Sequence, residues 1–168
     1  LTYIQAVTAD TTWQEQVRNA HPDIVVHTAW QIRTIYGNPK EQWRLNIEGS
    51  DAVFDFAFTT PSVTKLIYFS TASSYSARST NTFEHFFTEE EGFRNDDYPY
   101  AYEKKIAEEH LEKRYEEAMQ KGGVVPQVFI VRPAAITGPL GRYMRVRFGL
   151  QSALQGSLKE SLVYRFVS

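Results

Sequence analysis

The chain has no cysteine among its 168 residues, which excludes a disulfide framework and thiolate chemistry. Its four histidines, His21, His27, His85 and His110, are scattered without metal-ligand spacing, so no metal site is expected. No apolar run is long enough to span a bilayer and no signal peptide opens the chain, which leads us to expect a cytoplasmic protein with no membrane partner. An excess of one charge is missing as well: 18 Lys and Arg stand interspersed with 20 Asp and Glu, for a formal net charge of -2. That balance leaves no electrostatic footprint for nucleic acid. Internal repeats and low-complexity linkers are also absent. What remains, 42% hydrophobic and 23% charged residues, is the make-up of one ordinary domain able to bury a core.

Short apolar strands alternate with longer amphipathic helices. "YIQAV" (Tyr3 to Val7) reads as a strand, and "TTWQEQVRNA" as a helix with a Thr cap and with Trp13 and Val17 one turn apart. "DIVVHTA" (Asp23 to Ala29) is nearly all apolar, the pattern of a strand covered on both faces. The spacing predicts a long helix over "NPKEQWRLNIEGSDAVFDFAFTT", turning Trp43, Ile47, Phe54 and Ala57 to the core. "KLIYFS" reads as a buried strand, "PYAYEKKIAEEHLEKRYEEAMQK" as a helix closed by Gly122 and Gly123, and "QVFIVRP" as a further strand. This order implies an α/β fold of right-handed βαβ units, a parallel sheet with helices on both faces. The segment from Ser76 to Asp97 alone lacks clear periodicity and reads as a functional or mobile loop.

In such a sheet, ligands bind beyond the carboxyl ends of the strands. The residues there are Asp10, "HTAW" (His27 to Trp30), "STASSYS" (Ser70 to Ser76) and "RPAAITGP" (Arg132 to Pro139). "YAYEK" places Tyr100 and Lys104 four residues apart, on one helix face. A free phenol, with a pKa of roughly 10, is a poor base at neutral pH, but an adjacent ammonium stabilises the phenolate. Tyr100 is therefore a candidate proton-transfer group, and Pro99 suits the first helical position because its missing N–H costs nothing there.

These motifs together resemble the extended short-chain dehydrogenase/reductase family, the NAD(P)-dependent epimerase/dehydratase group with its sugar-nucleotide epimerases. The resemblance covers nearly the whole chain and rests on "FSTASSY" followed by "YAYEK", on Asp10, on "HTA", on Asn46 and the glycine of "LNIEGS", and on "RPAAITGP". It implies a Rossmann-like doubly wound parallel sheet, with Thr71, Tyr100 and Lys104 as the catalytic set and NAD or NADP as cofactor. Asp10 would contact adenine; Thr28, Ala29, Trp30, Asn46, Phe69, Ser70, Tyr100, Lys104, Pro133, Ala135 and Ile136 would line the rest of the cofactor. In the mechanism so implied, Tyr100 exchanges a proton with a substrate hydroxyl or carbonyl, Thr71 fixes the same oxygen, and Lys104 lowers the phenol pKa and binds ribose hydroxyls. The implied partners are a small-molecule substrate, plausibly a nucleotide sugar, and a second copy of the chain in a homodimer.

The sequence departs from that family twice. No G-x-x-G-x-x-G occurs, so the chain reads as lacking its first βαβ segment, with residues 1–140 as a partial NAD(P)-binding domain and 141–168 as the start of a small C-terminal substrate lobe. Trp30 stands where a small residue is common. Other readings stay open for single residues: His27 as a satisfied core histidine, Asn46 as a buried amide bridging loop and helix, Asp10 as a helix N-cap. Thr71 followed by Ala72 and Ser73 lacks the acidic pair of the dehydratases. A non-catalytic nucleotide-binding sensor or partner-binding relative is the alternative of another class, and a purely structural α/β domain the third.

Overall fold

The computed structural model describes residues 1–76, 81–82, 84–93 and 98–134. Residues 1–134 form one compact unit. In chain order this unit holds a 3-10 turn at Thr8–Asp10, α1 (Gln14–Asn19), β1 (Ile24–His27), α2 (Pro39–Trp43), a π-helical turn at Arg44–Glu48 and α3 (Gly49–Thr59). β2 (Lys65–Phe69), a 3-10 turn at Ala72–Tyr75, α4 (Pro99–Gln120) and β3 (Gln127–Val131) complete it.

The three strands form a parallel sheet in the order β1-β2-β3, with Val25 opposite Leu66 and Leu66 opposite Val128. Two successive right-handed crossovers in that order put both connecting helices on the same face. On that face Leu66 and Tyr68 meet Phe54, Phe56 and Ala57 of α3 and Ala107 and Leu111 of α4. Three parallel strands covered this way make one wing of a doubly wound α/β sheet, so the expected architecture is present. The opposite face, with Ile24, Val26, Ile67, Phe69, Phe129 and Val131, is open among the described residues, Val26 being 54% and Phe129 47% exposed. Cover on that second face of β1 is not met among the described residues.

Other expectations of local structure need correction too. Tyr3–Val7 pairs with no strand among the described residues, and Tyr3 is exposed; apolar alternation without a ladder partner leaves extended coil. The helix after it has no threonine side-chain cap: its N-cap position falls on Trp13, and Thr11 before it takes a left-handed backbone (φ 56). Trp43 is exposed rather than in the core. Elsewhere the periodicity is met. Trp13 and Val17 pack on the core, Trp13 against Phe56 at 5.1 Å between ring centroids. Asn38 caps α2, accepting a hydrogen bond from the Glu41 amide at 3.2 Å, with Pro39 in the first turn. Gly122, at φ 70, follows the end of α4 in the left-handed conformation a glycine accepts most readily.

The glycine of "LNIEGS" has a packing reason. Gly49 lies against the Thr8–Asp10 turn, and a Cβ there would sit 2.5 Å from Thr8 Oγ1. The turn is also held by the Trp13 indole, whose Nε1 donates to the Thr8 carbonyl at 3.0 Å. Gly49→Ala therefore lowers stability by about 1 kcal/mol or more in chemical denaturation, despite the better helix propensity of alanine. The Thr8→Ala background recovers most of the loss; independent, additive effects of the two substitutions would contradict the contact.

Candidate functional site

The carboxyl ends of β2 and β3 stay paired beyond the strands: Ser70 N donates to the Val131 carbonyl at 2.8 Å and Ala72 N to the Pro133 carbonyl at 3.0 Å. This pairing fixes the start of the hydroxyl-rich turn. Thr71 is buried and caps the turn, its Oγ1 accepting from Ser73 N at 3.1 Å, while Ser74 Oγ donates to the Thr71 carbonyl at 2.7 Å. Thr71 thus does the local job of a strand-end hydroxyl, and its own proton remains for another acceptor. The acceptor is the Tyr100 phenol.

Tyr100 and Lys104 enter the same site from the first turns of α4, with Pro99 at the helix start as expected. Lys104 is 3% exposed; its Nζ donates to the Phe69 carbonyl at 2.5 Å and lies 3.7 Å from the centre of the Trp30 ring and 4.8 Å from that of Tyr68. Burial pushes its pKa down to about 7, partly offset by the Glu108 carboxylate. Half-burial raises the Tyr100 phenol, while the Thr71 hydrogen bond pulls it down and Tyr98 adds to the rise. In this arrangement Tyr100 is a phenol held by Thr71, and the Phe69 carbonyl and the Trp30 indole engage the amine of Lys104.

Trp30, from the segment after β1, touches both groups. Its ring meets Tyr100 edge-on at 6.4 Å between centroids, and its buried Nε1 has no hydrogen-bond partner among the described residues. Thr28 and Ala29 beside it are exposed. Asn46 anchors this segment from the π-helical turn. Its Oδ1 accepts from Gln31 N at 2.7 Å, and its Nδ2 donates to the Gln31 carbonyl at 3.2 Å and to Glu103 Oε2 at 2.6 Å. The fully buried carboxamide is therefore the bridge from loop to helix, extended to α4. Gln42 repeats the pattern one turn earlier, accepting from Ile35 N and donating to Glu103 Oε1, both at 3.0 Å.

The remaining expected residues are dispersed. Asp10 neither caps a helix nor joins this cluster; it pairs with Arg44 Nη1 at 2.8 Å, on the surface. Ser70 is buried with its Oγ unpartnered among the described residues, Phe69 contributes its carbonyl, and Pro133 is half-buried at the end of β3. Ala135 and Ile136 lie outside the described residues, as do Arg142, Arg145 and Arg147.

Two functional neighbours escaped the sequence reading. Glu108 is fully buried and takes a bidentate ion pair from Arg132, with Nη2 to Oε2 at 2.6 Å; Arg132 Nη1 also donates to the Tyr75 hydroxyl at 2.6 Å. One guanidinium thereby ties α4, the end of β3 and the Ala72–Tyr75 turn. The signal for it is the series Ala101, Lys104, Glu108 and Leu111, one buried face at helical spacing inside a charged run. No group of three or more His, Asp or Glu able to hold a metal occurs among the described residues, and none of their helices is long and apolar enough to cross a membrane.

His27 belongs to the core. Its Nε2 lies 2.9 Å from Ser50 Oγ; because that hydroxyl gives its proton to the Asn46 carbonyl, Nε2 is the donor. Burial first, and then Lys104, lower its pKa to about 4. The stability a neutral His27 contributes is therefore fully present above its ordinary value of 6.5 and is lost as pH falls toward about 4. The loss amounts to about 3 kcal/mol at most. His27→Gln, which keeps a donor but does not titrate, removes this part of the acid destabilisation in denaturation series across that window; an unchanged pH dependence would contradict the neutral buried ring.

A model of the NAD dependent epimerase/dehydratase family matches residues 3–158. Solved structures with the same fold include the Bordetella bronchiseptica enzyme WbmH in complex with NAD+, 22% identical, TM-score 0.62, over 89% of this chain and 48% of that one. Another is the dTDP-glucose 4,6-dehydratase of Bacillus anthracis in complex with NAD, 17% identical, TM-score 0.64, over 92% and 44%. A GDP-L-fucose synthetase of Naegleria fowleri bound to NADP is similar at 19% identity, TM-score 0.58, over 83% and 42%. No curated protein sequence matches. The chain spans less than half the length of these solved structures.

Proposed function

The chain belongs to the NAD dependent epimerase/dehydratase family, and from that premise we propose that it carries the catalytic half of an NAD(P)-dependent oxidoreductase or epimerase acting on a hydroxyl or carbonyl group of a nucleotide sugar. The observation that carries the reading is the meeting of Thr71, Tyr100 and Lys104 at the end of β2, with Tyr100 hydrogen-bonded to Thr71. Supporting it, these three solved structures of similar fold hold NAD or NADP, and two are named for nucleotide sugars.

The residues present fit a dinucleotide. Ser70 Oγ and Trp30 Nε1 are buried polar atoms without partners among the described residues, a cost of about 1–3 kcal/mol each that a polar ligand relieves. Thr28 and Ala29 offer an exposed strand end, and Lys104 an amine suited to ribose hydroxyls. Pro133, Ala135 and Ile136 complete the proposed binding set, with Asp10 assigned to adenine. When bound, the nicotinamide supplies or accepts the hydride. Tyr100 then hands its proton to a carbonyl oxygen, or takes one from a hydroxyl in the reverse direction, and Thr71 donates a hydrogen bond that holds the reacting groups in line. As a donor with a raised pKa, Tyr100 is already set for the carbonyl direction; the hydroxyl direction requires Lys104 to be charged and near the phenol.

A second reading, a non-catalytic nucleotide-binding relative, takes its support from the engagement of the Lys104 amine by the Phe69 carbonyl and the Trp30 ring. Calorimetric titration of NAD and NADP onto the protein separates these readings from a purely structural domain: one dinucleotide should bind, and absence of binding by both overturns the proposal. Tyr100→Phe is expected to lower turnover about a hundred- to ten-thousandfold while cofactor affinity stays nearly unchanged. Undiminished turnover would remove Tyr100 from the chemistry. The division at residue 140 and homodimerisation through the helices bearing Asn46 and Tyr100 belong to the same proposal; sedimentation equilibrium at about twice the monomer mass would support the dimer.

A further inference from the structure

Lys104 has no carboxylate within salt-bridge distance among the described residues, although it is one of the most buried charged side chains of the fold. Burying an ammonium on one carbonyl and two aromatic faces is costly unless the faces keep water out and supply a quadrupole attraction in return. The Trp30 ring does both. It lies 3.7 Å from Nζ, its edge faces Tyr100, and its own Nε1 is dry and unpartnered. An indole satisfied in its position would have that N–H bonded. The segment carrying it has an exposed start at Thr28 and Ala29 and is pinned only after Trp30, through the two hydrogen bonds of Gln31 to Asn46. The backbone anchor therefore lies beside the ring and leaves the indole itself held by aromatic contacts.

We propose that Trp30 is a positioning residue that covers Lys104, holding its amine on the Phe69 carbonyl, and that the indole shifts to let the amine meet a diol ligand. The inference deepens the reading given above, since the diol would be a ribose of the dinucleotide. The geometric half, that the indole covers the amine, stands without it. Covering has an electrostatic consequence. The titratable groups near the ammonium are Glu108 and Tyr100 on α4, Tyr68 on β2 and His27 on β1; none replaces the water that the indole excludes.

The test is competitive acetylation of the protein across neutral to alkaline pH, with peptide mass spectrometry of Lys104 and with the exposed Lys113 as internal reference. In the wild-type protein Lys104 labels far more slowly than Lys113. Trp30→Ala raises the limiting Lys104 rate toward that of Lys113, because the neutral amine becomes accessible to the reagent, and moves the labelling midpoint upward, because the ammonium regains water. Trp30→Phe retains a ring over the amine and stays close to wild type. An Ala variant whose Lys104 labels at the wild-type rate overturns the cover. Should Trp30→Ala lose its cooperative thermal transition, Trp30→Leu, which keeps apolar bulk without the π face, decides between the two outcomes by the same rate. Titration of the variants with NAD and NADP then tests the second half: tighter binding by Trp30→Ala supports a cover that must move, and weaker binding makes Trp30 a ligand contact and overturns it. Failure of every variant to bind either dinucleotide overturns the shifting step together with the proposed function, and the acetylation rates still decide whether the indole covers the amine.

Discussion

Two charged side chains one helical turn apart on α4, Lys104 and Glu108, point into the interior, and the site is arranged around the cost of drying them. Glu108 receives a guanidinium in bidentate geometry, the arrangement that best compensates a buried carboxylate. Lys104 receives a carbonyl at the end of β2 and two aromatic faces. Each solution recruits a different part of the chain. Arg132 brings the end of β3 and, through Tyr75, the hydroxyl-rich turn; Phe69 and Trp30 bring the ends of β2 and β1. The strand ends converge on one helix face because that face carries charge which a core of aliphatic side chains could not accommodate.

A second polar system works at the next layer. Glu103, adjacent to Lys104, accepts from both Asn46 and Gln42, and those two amides in turn hold the backbone of the 31–35 segment. The bonds to Gln31 reproduce on a side chain the donor–acceptor pair of a strand, so the loop after β1 is tethered without a neighbouring ladder. His27, Ser50 and the Asn46 carbonyl continue the chain of hydrogen bonds into the core. Loop position, helix phase and core packing are thereby linked through one carboxamide.

Much of the fold was legible in the residues because β2, β3, α3 and α4 combine strong periodicity with clear end signals, such as Pro99 and Gly122 for α4. The candidate cluster of Thr71, Tyr100 and Lys104 was legible through the four-residue spacing of Tyr100 and Lys104 and through the hydroxyls after β2. What misled was context. "YIQAV" alternates as a strand should, yet alternation specifies only a face, and pairing needs a partner. Asp10 looks like a cap, but Arg44 offers it an ion pair across the turn. Glu108 sits in a run of charges typical of a solvated face, and only its phase with Ala101 and Leu111 distinguishes it. The direction of the Lys104 amine was beyond spacing arguments altogether, because it is set by Trp30 and Phe69, residues far away in the chain.

The π-helical turn at Arg44–Glu48 has a bearing on how this chain can tolerate change in length. Such a turn contains one residue more than an α-turn, so the helix leaves it rotated by about 100° relative to an uninterrupted one. Asn46 lies inside it, and Ser50, Phe54 and Ala57 lie beyond it on the buried side. Loss of a single residue there would rebuild a regular helix and at one stroke carry the carboxamide off the loop and the aromatic stripe off the sheet. For this stretch of the chain, spacing is therefore a stricter constraint than side-chain identity: conservative substitutions can be absorbed one by one, whereas an indel has no intermediate that keeps both ends in phase.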